Sequence, residues 1–545
     1  MNKQSVIKSN LGGFVLTGLS VLFSTALIAG PVDDSGPKKD STQNKYINWH
    51  NCDYGSSQMV GIETEKAYNE VLKNKKSKTV IVAIIDSGVD IEHEDIQGKI
   101  WINEDEIVGN NIDDDNNGYI DDINGWNFIG AKDGENIGFE TMELTRLYKE
   151  YVDAVKQGKA NKLKASSVDY KKVKKLYEQK AADTKQQLDG INQFIDEFKA
   201  NQLIVAKLLK KEDYTLADFE SVDTQDPKEQ QALSMIKRSV KNNFAISDLE
   251  GYKSHLDEQM NYSLNMDFNP RKMIGDNPYN NQDIYYGNNN VKGPYCFHGT
   301  HVTGIVAANR HNNMGLDGIA DNVKIMVLRA VPKGDERDKD IANAIRYAVD
   351  NGAQVINMSF GKDFSPQKAF VDQAIKYADE KGVLLIHAAG NDGLNIDKNR
   401  HFPARYLESD KQMAKNWITV GASSMSKDLK MVGNFTNYGK KDVDVFAPGV
   451  DIYSMAPESE YKLASGTSMS APVVTGVAAV LFSYYPQLTA AQVKDIILQS
   501  SDKYEKMKVI KPGSGKKKKT KKFKKLSSTA GIVNLYNAVK MAERM

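Results

Sequence analysis

Short, uninterrupted apolar runs alternate with amphipathic stretches over the second half of the chain, and one such run also stands near its beginning. Thr79-Val80-Ile81-Val82-Ala83-Ile84-Ile85 is apolar and β-branched, the pattern of a strand buried on both faces, and it ends in Asp86-Ser87-Gly88. Residues 323–328, 354–359 and 383–389 repeat the pattern, with helical stretches at 340–349 and 367–380 between them. Strands alternating with helices predict an α/β fold built on a doubly wound, mainly parallel sheet with right-handed crossovers. Two further stretches read as the starts of buried helices. His298-Gly299-Thr300-His301 opens one. Ser465-Gly466-Thr467-Ser468-Met469-Ser470-Ala471-Pro472 leads into the other, with Pro472 expected in its first turn, where a missing N–H is tolerated.

From residue 140 to residue 267 the composition shifts to Lys, Glu, Gln and Asp, with apolar residues at helical spacing. Leu188, Ile191, Ile195 and Phe198 follow the rhythm of one helix face, and Leu233, Ile236 and Val240 repeat it. Ser247-Asp248-Leu249-Glu250 has the form of a capping box that starts another helix. The stretch predicts an antiparallel helical insertion. The expected division is a signal segment at 1–30, a polar arm at 31–55, a sheet domain made of 56–135 and 290–545, and an α-helical insertion at 136–289.

Composition adds constraints. The chain has 545 residues, 40% of them hydrophobic and 26% charged, enough for a large core and more than one domain. With 72 basic and 71 acidic residues the net charge is +1, so no global charge points to nucleic acid or to an anionic membrane. Eight lysines between Lys516 and Lys525 read as a flexible exposed loop, with nucleic-acid contact the minority alternative. Cys52 and Cys296 allow one bridge or two free thiols. The first residues carry Lys3 and Lys8, then run uncharged from 11 to 29, with small residues Ala26, Ala29 and Gly30 near the end; this is the layout of a secretory signal. It implies a secreted, periplasmic or cell-surface protein with no membrane association beyond that segment, and an uncleaved anchor is the competing reading. The apolar run after Ser468 is better explained as a core helix than as a membrane span.

Candidate chemistry comes from three places. Asp86 stands at the C-terminal end of a strand, where open α/β sheets place their sites. His298 stands at the start of an apolar helix. Ser468 stands beside the unpaired N–H groups and the positive dipole end of another. Each has a structural reading alone: a capping Asp, a satisfied His, a Ser helix cap. Together they supply a nucleophile, a base and the acid that orients the base. The serine turn has Ser470 where a G-x-S-x-G elbow needs glycine, which disfavours a lipase or esterase.

The order Asp86, His298, Ser468 and the motifs D-S-G, H-G-T-H and G-T-S-M-S-A-P resemble the subtilisin-like serine peptidases. The resemblance implies a subtilisin-like three-layer sandwich and an endopeptidase acting on protein or peptide substrates through an acyl-enzyme. It implies that Asn391, in Ala388-Ala389-Gly390-Asn391, serves with the Ser468 N–H as an oxyanion donor. It also implies that Ser359-Phe360-Gly361 forms the edge that pairs with extended substrate. Two departures stand out. Asp86 and His298 are much farther apart than in a typical member, and little room is left for a pro-segment between signal and catalytic domain. The expectation is therefore that the insertion lies beside the cleft, regulates access or maturation and offers a surface to a partner of its own; neutral decoration is the bland reading. A catalytically silent scaffold acting through the insertion is the alternative function.

An acidic loop follows the Asp86 strand. Asp113, Asp115, Asn117 and Gly118 fit the first six positions of a calcium loop, and Asn124 stands where a full EF-hand has its bidentate Glu. The expected ligands are Asp113, Asp115, Asn117 and Asp121 around structural calcium; a solvated acidic turn is the alternative.

Overall fold

A computed structural model describes residues 44–159, 161, 163 and 168–545; the expected signal segment and most of the polar arm lie outside the described residues. The centre is a nine-stranded sheet. In spatial order its strands are Asp502–Lys503, Gly531–Ile532, Val445–Pro448, Trp417–Ser423, Leu384–Ala388, Val355–Met358, Val80–Asp86, Val323–Arg329 and Gly125–Asn127. All neighbours are parallel except the first pair. The Val80–Asp86 strand lies between Val323–Arg329 and Val355–Met358, so its register is fixed on both sides and Asp86 faces Arg329.

Strand periodicity distributes the two cores. Val80, Val82 and Ile84 point to one face, where they pack with the helices Phe297–Ala307 and Thr467–Tyr484. Ala83 and Ile85 point to the other, against the helices Asp338–Asp350 and Lys368–Glu380. The result is three layers, helix, sheet, helix, as the alternation of runs predicted. The Thr467–Tyr484 helix is long and apolar enough to cross a membrane, but 89% of it is buried within the protein. Val473, Val477, Val480 and Leu481 are fully covered, and each contributes about 1.5–3 kcal/mol by leaving water.

The insertion supplies the helices Glu143–Lys156, Tyr170–Leu209, Pro227–Lys241 and Ile246–Glu258. The second has 40 residues, a length of about 60 Å at 1.5 Å per residue. Asp169 caps it by accepting from the N–H groups of Lys171 and Lys172. Its buried stripe, Ile191, Ile195, Phe198 and Val205, meets Ala232 and Ile236 from one later helix and Leu249 from the next.

Three local expectations change. The helix expected to start at a Ser247 cap begins at Ile246, so Ser247 lies inside its first turn. The lysine-rich stretch is not a simple loop. Lys508–Ile510 pairs with Thr520–Lys522 in a hairpin, because Val509 and Phe523 are apolar and fully buried. Pro472 stands six positions into the Thr467–Tyr484 helix, in its second turn instead of its first.

Candidate active site

Asp86 and His298 meet at the C-terminal end of the central strands. Their approach depends on glycine: a Cβ on Gly299 would fall 2.1 Å from the Gly88 carbonyl oxygen, so only glycine lets the helix start rest on the strand end. His298 Nδ1 lies 2.7 Å from Asp86 Oδ1, which also accepts from the Ser87 N–H at 2.7 Å. Asp86 is buried, while about a third of the imidazole is exposed, 35%. Burial opposes the imidazolium, but the charge and hydrogen bond of Asp86 outweigh it, so the His298 pKa is raised above the usual histidine value. A carboxylate facing Nδ1 holds the proton there in the neutral ring, which leaves the Nε2 lone pair as a base.

Ser468 is the second residue of its helix. Its Oγ donates to the Ser359 carbonyl at 3.0 Å, and the Ser359 Oγ donates back to the Ser468 carbonyl at 2.9 Å. The displaced proline explains the second bond. Pro472 has no N–H to close the helical bond to the carbonyl four residues earlier, and that carbonyl belongs to Ser468. The Ser359 hydroxyl takes the vacant place. It is itself held by Asn357 Nδ2 at 2.9 Å, and Asn357 Oδ1 accepts from Thr475 Oγ1 at 2.9 Å, so the serine turn is tied to the strand beneath it.

Asn391 follows the Leu384–Ala388 strand. Its Oδ1 accepts from both the N–H and the hydroxyl of Thr467, at 2.9 and 3.0 Å. That fixes the amide orientation and leaves Nδ2 as a donor beside the start of the serine helix, without a hydrogen-bond partner among the described residues. Asn437 holds the loop behind it, donating to the Ala389 carbonyl at 2.9 Å and accepting from the N–H groups of Asp392 and Leu394.

Ser359-Phe360-Gly361 leaves the Val355–Met358 strand with alternating orientation. The Phe360 carbonyl turns inward to His387 Nε2 at 3.0 Å, while the backbone N–H and C=O of Gly361 pair with nothing among the described residues. Lys362 then pairs with Phe402 through two backbone bonds of 2.9 Å. The segment thus presents a short unpaired edge.

The model of the subtilase family matches residues 77–531. The chain belongs to the subtilase family. Among curated proteins it is 41% identical over 207 residues to "Thermophilic serine proteinase" of Bacillus sp. (strain AK1), covering 38% of this chain and 47% of that one. It is 36% identical over 200 residues to "Subtilisin DY" of Bacillus licheniformis, 36% of this chain and 68% of that one. It is 39% identical over 207 residues to "Thermitase" of Thermoactinomyces vulgaris, 38% of this chain and 67% of that one. The chain thus spans about half the length of the first of these relatives, 47%, and about two thirds of the other two, 68% and 67%. Among solved structures, a chain from the structural basis of subtilase cytotoxin SubAB assembly aligns at 23% identity and a TM-score of 0.37, over 46% of this chain and 77% of that one.

In this subtilase the acidic loop is arranged differently from the sequence pattern. Carboxylate oxygens of Asp113, Asp115 and Glu106 lie within 4.8 Å of one another. Glu106 stands outside the D-x-D-x-N-G pattern, and no spacing rule pointed to it. Asn117 lies next to the group, its Nδ2 on Asp115 and Asp122 at 2.9 and 3.0 Å. Asp121 is directed elsewhere: its two oxygens accept from the N–H groups of Gly109 and Asn111 at 2.8 and 2.9 Å, closing the turn that precedes the loop. Of the four expected ligands, Asp113 and Asp115 thus stand together, with Glu106 beside them, and Asp121 stands apart. Burial pushes the Glu106 carboxyl up, and the neighbouring Asp122 and Asp115 charges act in the same direction.

Arg329 also went unread. Fully buried, it donates to the Ser87 carbonyl at 3.0 Å, Asn127 Oδ1 at 3.0 Å and the Ile137 carbonyl at 2.6 Å, bracing the loop after Asp86 against the start of the insertion. The two thiols, Cys52 and Cys296, are unbridged. Burial pushes the Cys296 thiol up, which keeps it neutral and a poor nucleophile two residues before His298.

Proposed function

We propose that the chain is an exported serine endopeptidase that cleaves peptide bonds of protein or peptide substrates, with Ser468 as nucleophile. The observation that carries this reading is the 2.7 Å contact between a buried carboxylate and His298 Nδ1, in a chain whose serine helix start and Asn391 amide stand side by side. For attack, Ser468 Oγ must leave the Ser359 carbonyl and donate to His298 Nε2. Nε2 then accepts the hydroxyl proton as Oγ attacks the carbonyl carbon, and Asp86 stabilises the imidazolium that forms. Asn391 Nδ2 and the Ser468 N–H donate to the oxyanion. The imidazolium returns its proton to the leaving amine, and water repeats the sequence on the acyl-enzyme. Substrate lies extended along Ser359-Phe360-Gly361, where Gly361 offers its N–H and C=O. Labelling of Ser468 by a phosphonofluoridate, followed by a panel of matched peptide and ester substrates, tests the assignment. An unlabelled, folded protein supports the silent-scaffold alternative, and turnover of esters alone supports an esterase.

Asn391→Ala is expected to lower kcat by about 10²–10³-fold with KM little changed, the scale of the same loss in a subtilisin. Steady-state kinetics on one peptide amide check it; parent-like kcat removes Asn391 from the oxyanion site.

Export rests on the layout of residues 1–30. N-terminal sequencing of protein from the medium or cell envelope tests it, and an intact Met1 there contradicts cleavage.

The same reading includes calcium held by Glu106, Asp113 and Asp115, with Asn117 nearby. The donor set fits: three carboxylates converge, Asp122 adds charge next to them, and no Lys or Arg forms an ion pair with any of the four among the described residues. A cation would relieve that repulsion and steady the loop that follows the catalytic strand. Calcium at a hundredfold excess over Kd is expected to raise stability by about 2.7 kcal/mol. Melting with calcium and with chelator checks it. Asp113→Ala should abolish the difference, and a parent melting temperature indifferent to both additions rules the site out.

A further inference from the structure

The insertion is joined to the catalytic layers by buried ions, and one of them belongs to the residue directly after the proposed substrate edge. Lys362 follows Gly361, and its side chain is 2% exposed. Its Nζ donates to Glu143 Oε2 at 2.8 Å and to the Glu336 carbonyl at 2.8 Å, and pairs with Asp338 Oδ1 at 2.9 Å. The buried ammonium thus has two hydrogen bonds and a close ion pair. Glu143 is the first residue of the insertion's first helix. Its N–H donates to Asp335 Oδ2 at 2.8 Å, and its carboxylate also grips Arg146 Nε and Nη2 at 3.2 and 2.6 Å. Arg146 in turn donates to the carbonyls of Asp335 and Glu336, each at 3.2 Å. The charges act on one another as the contacts require: the Arg146 and Lys362 cations overcome burial and hold the Glu143 carboxyl far below the usual range.

A decorative insertion needs only apolar contact at its root. Here the root instead buries a carboxylate and a guanidinium against an ammonium on the edge segment. Charges in such a place lose much of their hydration and are held only by good geometry, so the arrangement is poor at adding stability and good at fixing position. What it fixes is local. Lys362 is anchored through its side chain to the insertion and through its backbone to Phe402, and the only chain between that anchor and the Ser359 carbonyl is Phe360-Gly361. Main-chain pairing with an extended peptide requires those groups to stand in register, and a shift near 1 Å at such a site is costly.

We propose that the root of the insertion, through Glu143 and Arg146, holds Lys362 as a positioning residue for the peptide-pairing edge, so that the insertion sets affinity for extended substrate. This rests on reading Ser359-Phe360-Gly361 as that edge.

The test uses the full chain and peptide anilides with one, two, three and four residues ahead of the scissile bond, with rates per active site titrated by a phosphonofluoridate. The parent kcat/KM should rise with length. In Glu143→Gln the four-residue substrate should lose about tenfold, mainly through KM, while the one-residue substrate stays within about twofold. Lys362→Arg with Glu143 intact, which keeps the charge and its partner, should retain more of the gain with length than Lys362→Met. If Glu143→Gln gives no titratable enzyme, the double variant Glu143→Leu with Lys362→Met removes both charges together, and the length gain should again be lost. A variant that keeps the parent's gain with length, or falls equally on every length, overturns the positioning role while leaving the edge in place. A parent without gain from length shows that the edge reading itself fails, and the inference with it.

Discussion

Ser468→Ala is expected to lower kcat on peptide amides by about 10⁶-fold and to leave the fold intact. The loss is large because the nucleophile and its base act as a unit: without Oγ there is no acyl-enzyme, and His298 has no proton to take. Some catalysis over water, about 10³–10⁴-fold, should survive, because Asn391 and the Ser468 N–H still stand where an oxyanion develops. The fold should hold for reasons visible around the residue. The Ser468 hydroxyl is half-buried and makes a single bond, to the Ser359 carbonyl, worth about 0.5–1.5 kcal/mol. The return bond from Ser359 Oγ ends on the Ser468 main chain, which alanine retains. Phosphonofluoridate labelling, kcat on a peptide amide and thermal melting together check the expectation. Full turnover by a folded Ser468→Ala protein would remove Ser468 as nucleophile.

What could be read without coordinates was whatever leaves a local signature. The strand ending in Asp86 was legible because a strand covered on both faces is apolar at every position, and Val80–Asp86 departs from the expected span by one residue at each end. The buried stripe Ile191, Ile195, Phe198 was legible because a helix repeats along its own length. Gly125–Asn127 was not: three residues with glycine and asparagine carry no strand periodicity, and they form a strand only because Val323–Arg329 offers an edge. The candidate site divides in the same way. Asp86, His298, Asn391 and Ser468 stand in motifs, as do Ser87 and Thr467 that hold two of them, whereas the roles of more distant partners carry no local mark. Ser359 Oγ replaces a helical bond that Pro472 cannot make, which follows only from knowing which turn holds the proline. Glu106 joins Asp113 and Asp115 from outside their pattern, and Asp121, inside it, is spent on a turn. Glu143 and Lys362 are 219 positions apart, so nothing local in either stretch announces their contact.

Asp86→Asn is expected to lower kcat by about 10⁴-fold and to shift the pH dependence of what remains. An asparagine in this place can turn its NH₂ toward His298 Nδ1. The ring then accepts at Nδ1 and carries its proton on Nε2, the wrong tautomer for receiving the Ser468 proton. Shape is nearly unchanged, so this loss separates chemistry from folding. The pH dependence follows from the two opposed influences on His298. Burial disfavours the imidazolium, and the Asp86 charge and hydrogen bond more than compensate, so in the parent the pKa lies above the ordinary value of about 6.5. Only the neutral ring is a base, so parent kcat/KM should climb tenfold per pH unit and bend above that value. Without the carboxylate only burial acts, and the bend should move below the parent's. Stability runs the other way. A folded-state pKa raised above its unfolded value gives a contribution that is complete below the unfolded pKa and is lost as pH rises through the folded one. The parent therefore becomes active over the interval in which it gives up the stabilisation of the charged His298–Asp86 pair, and the variant should lack that loss. Profiles of kcat/KM against pH for both proteins, with melting temperatures over the same range, check the two signs together; a bend that stays in place or moves upward in Asp86→Asn would show that the carboxylate does not set the basicity of His298.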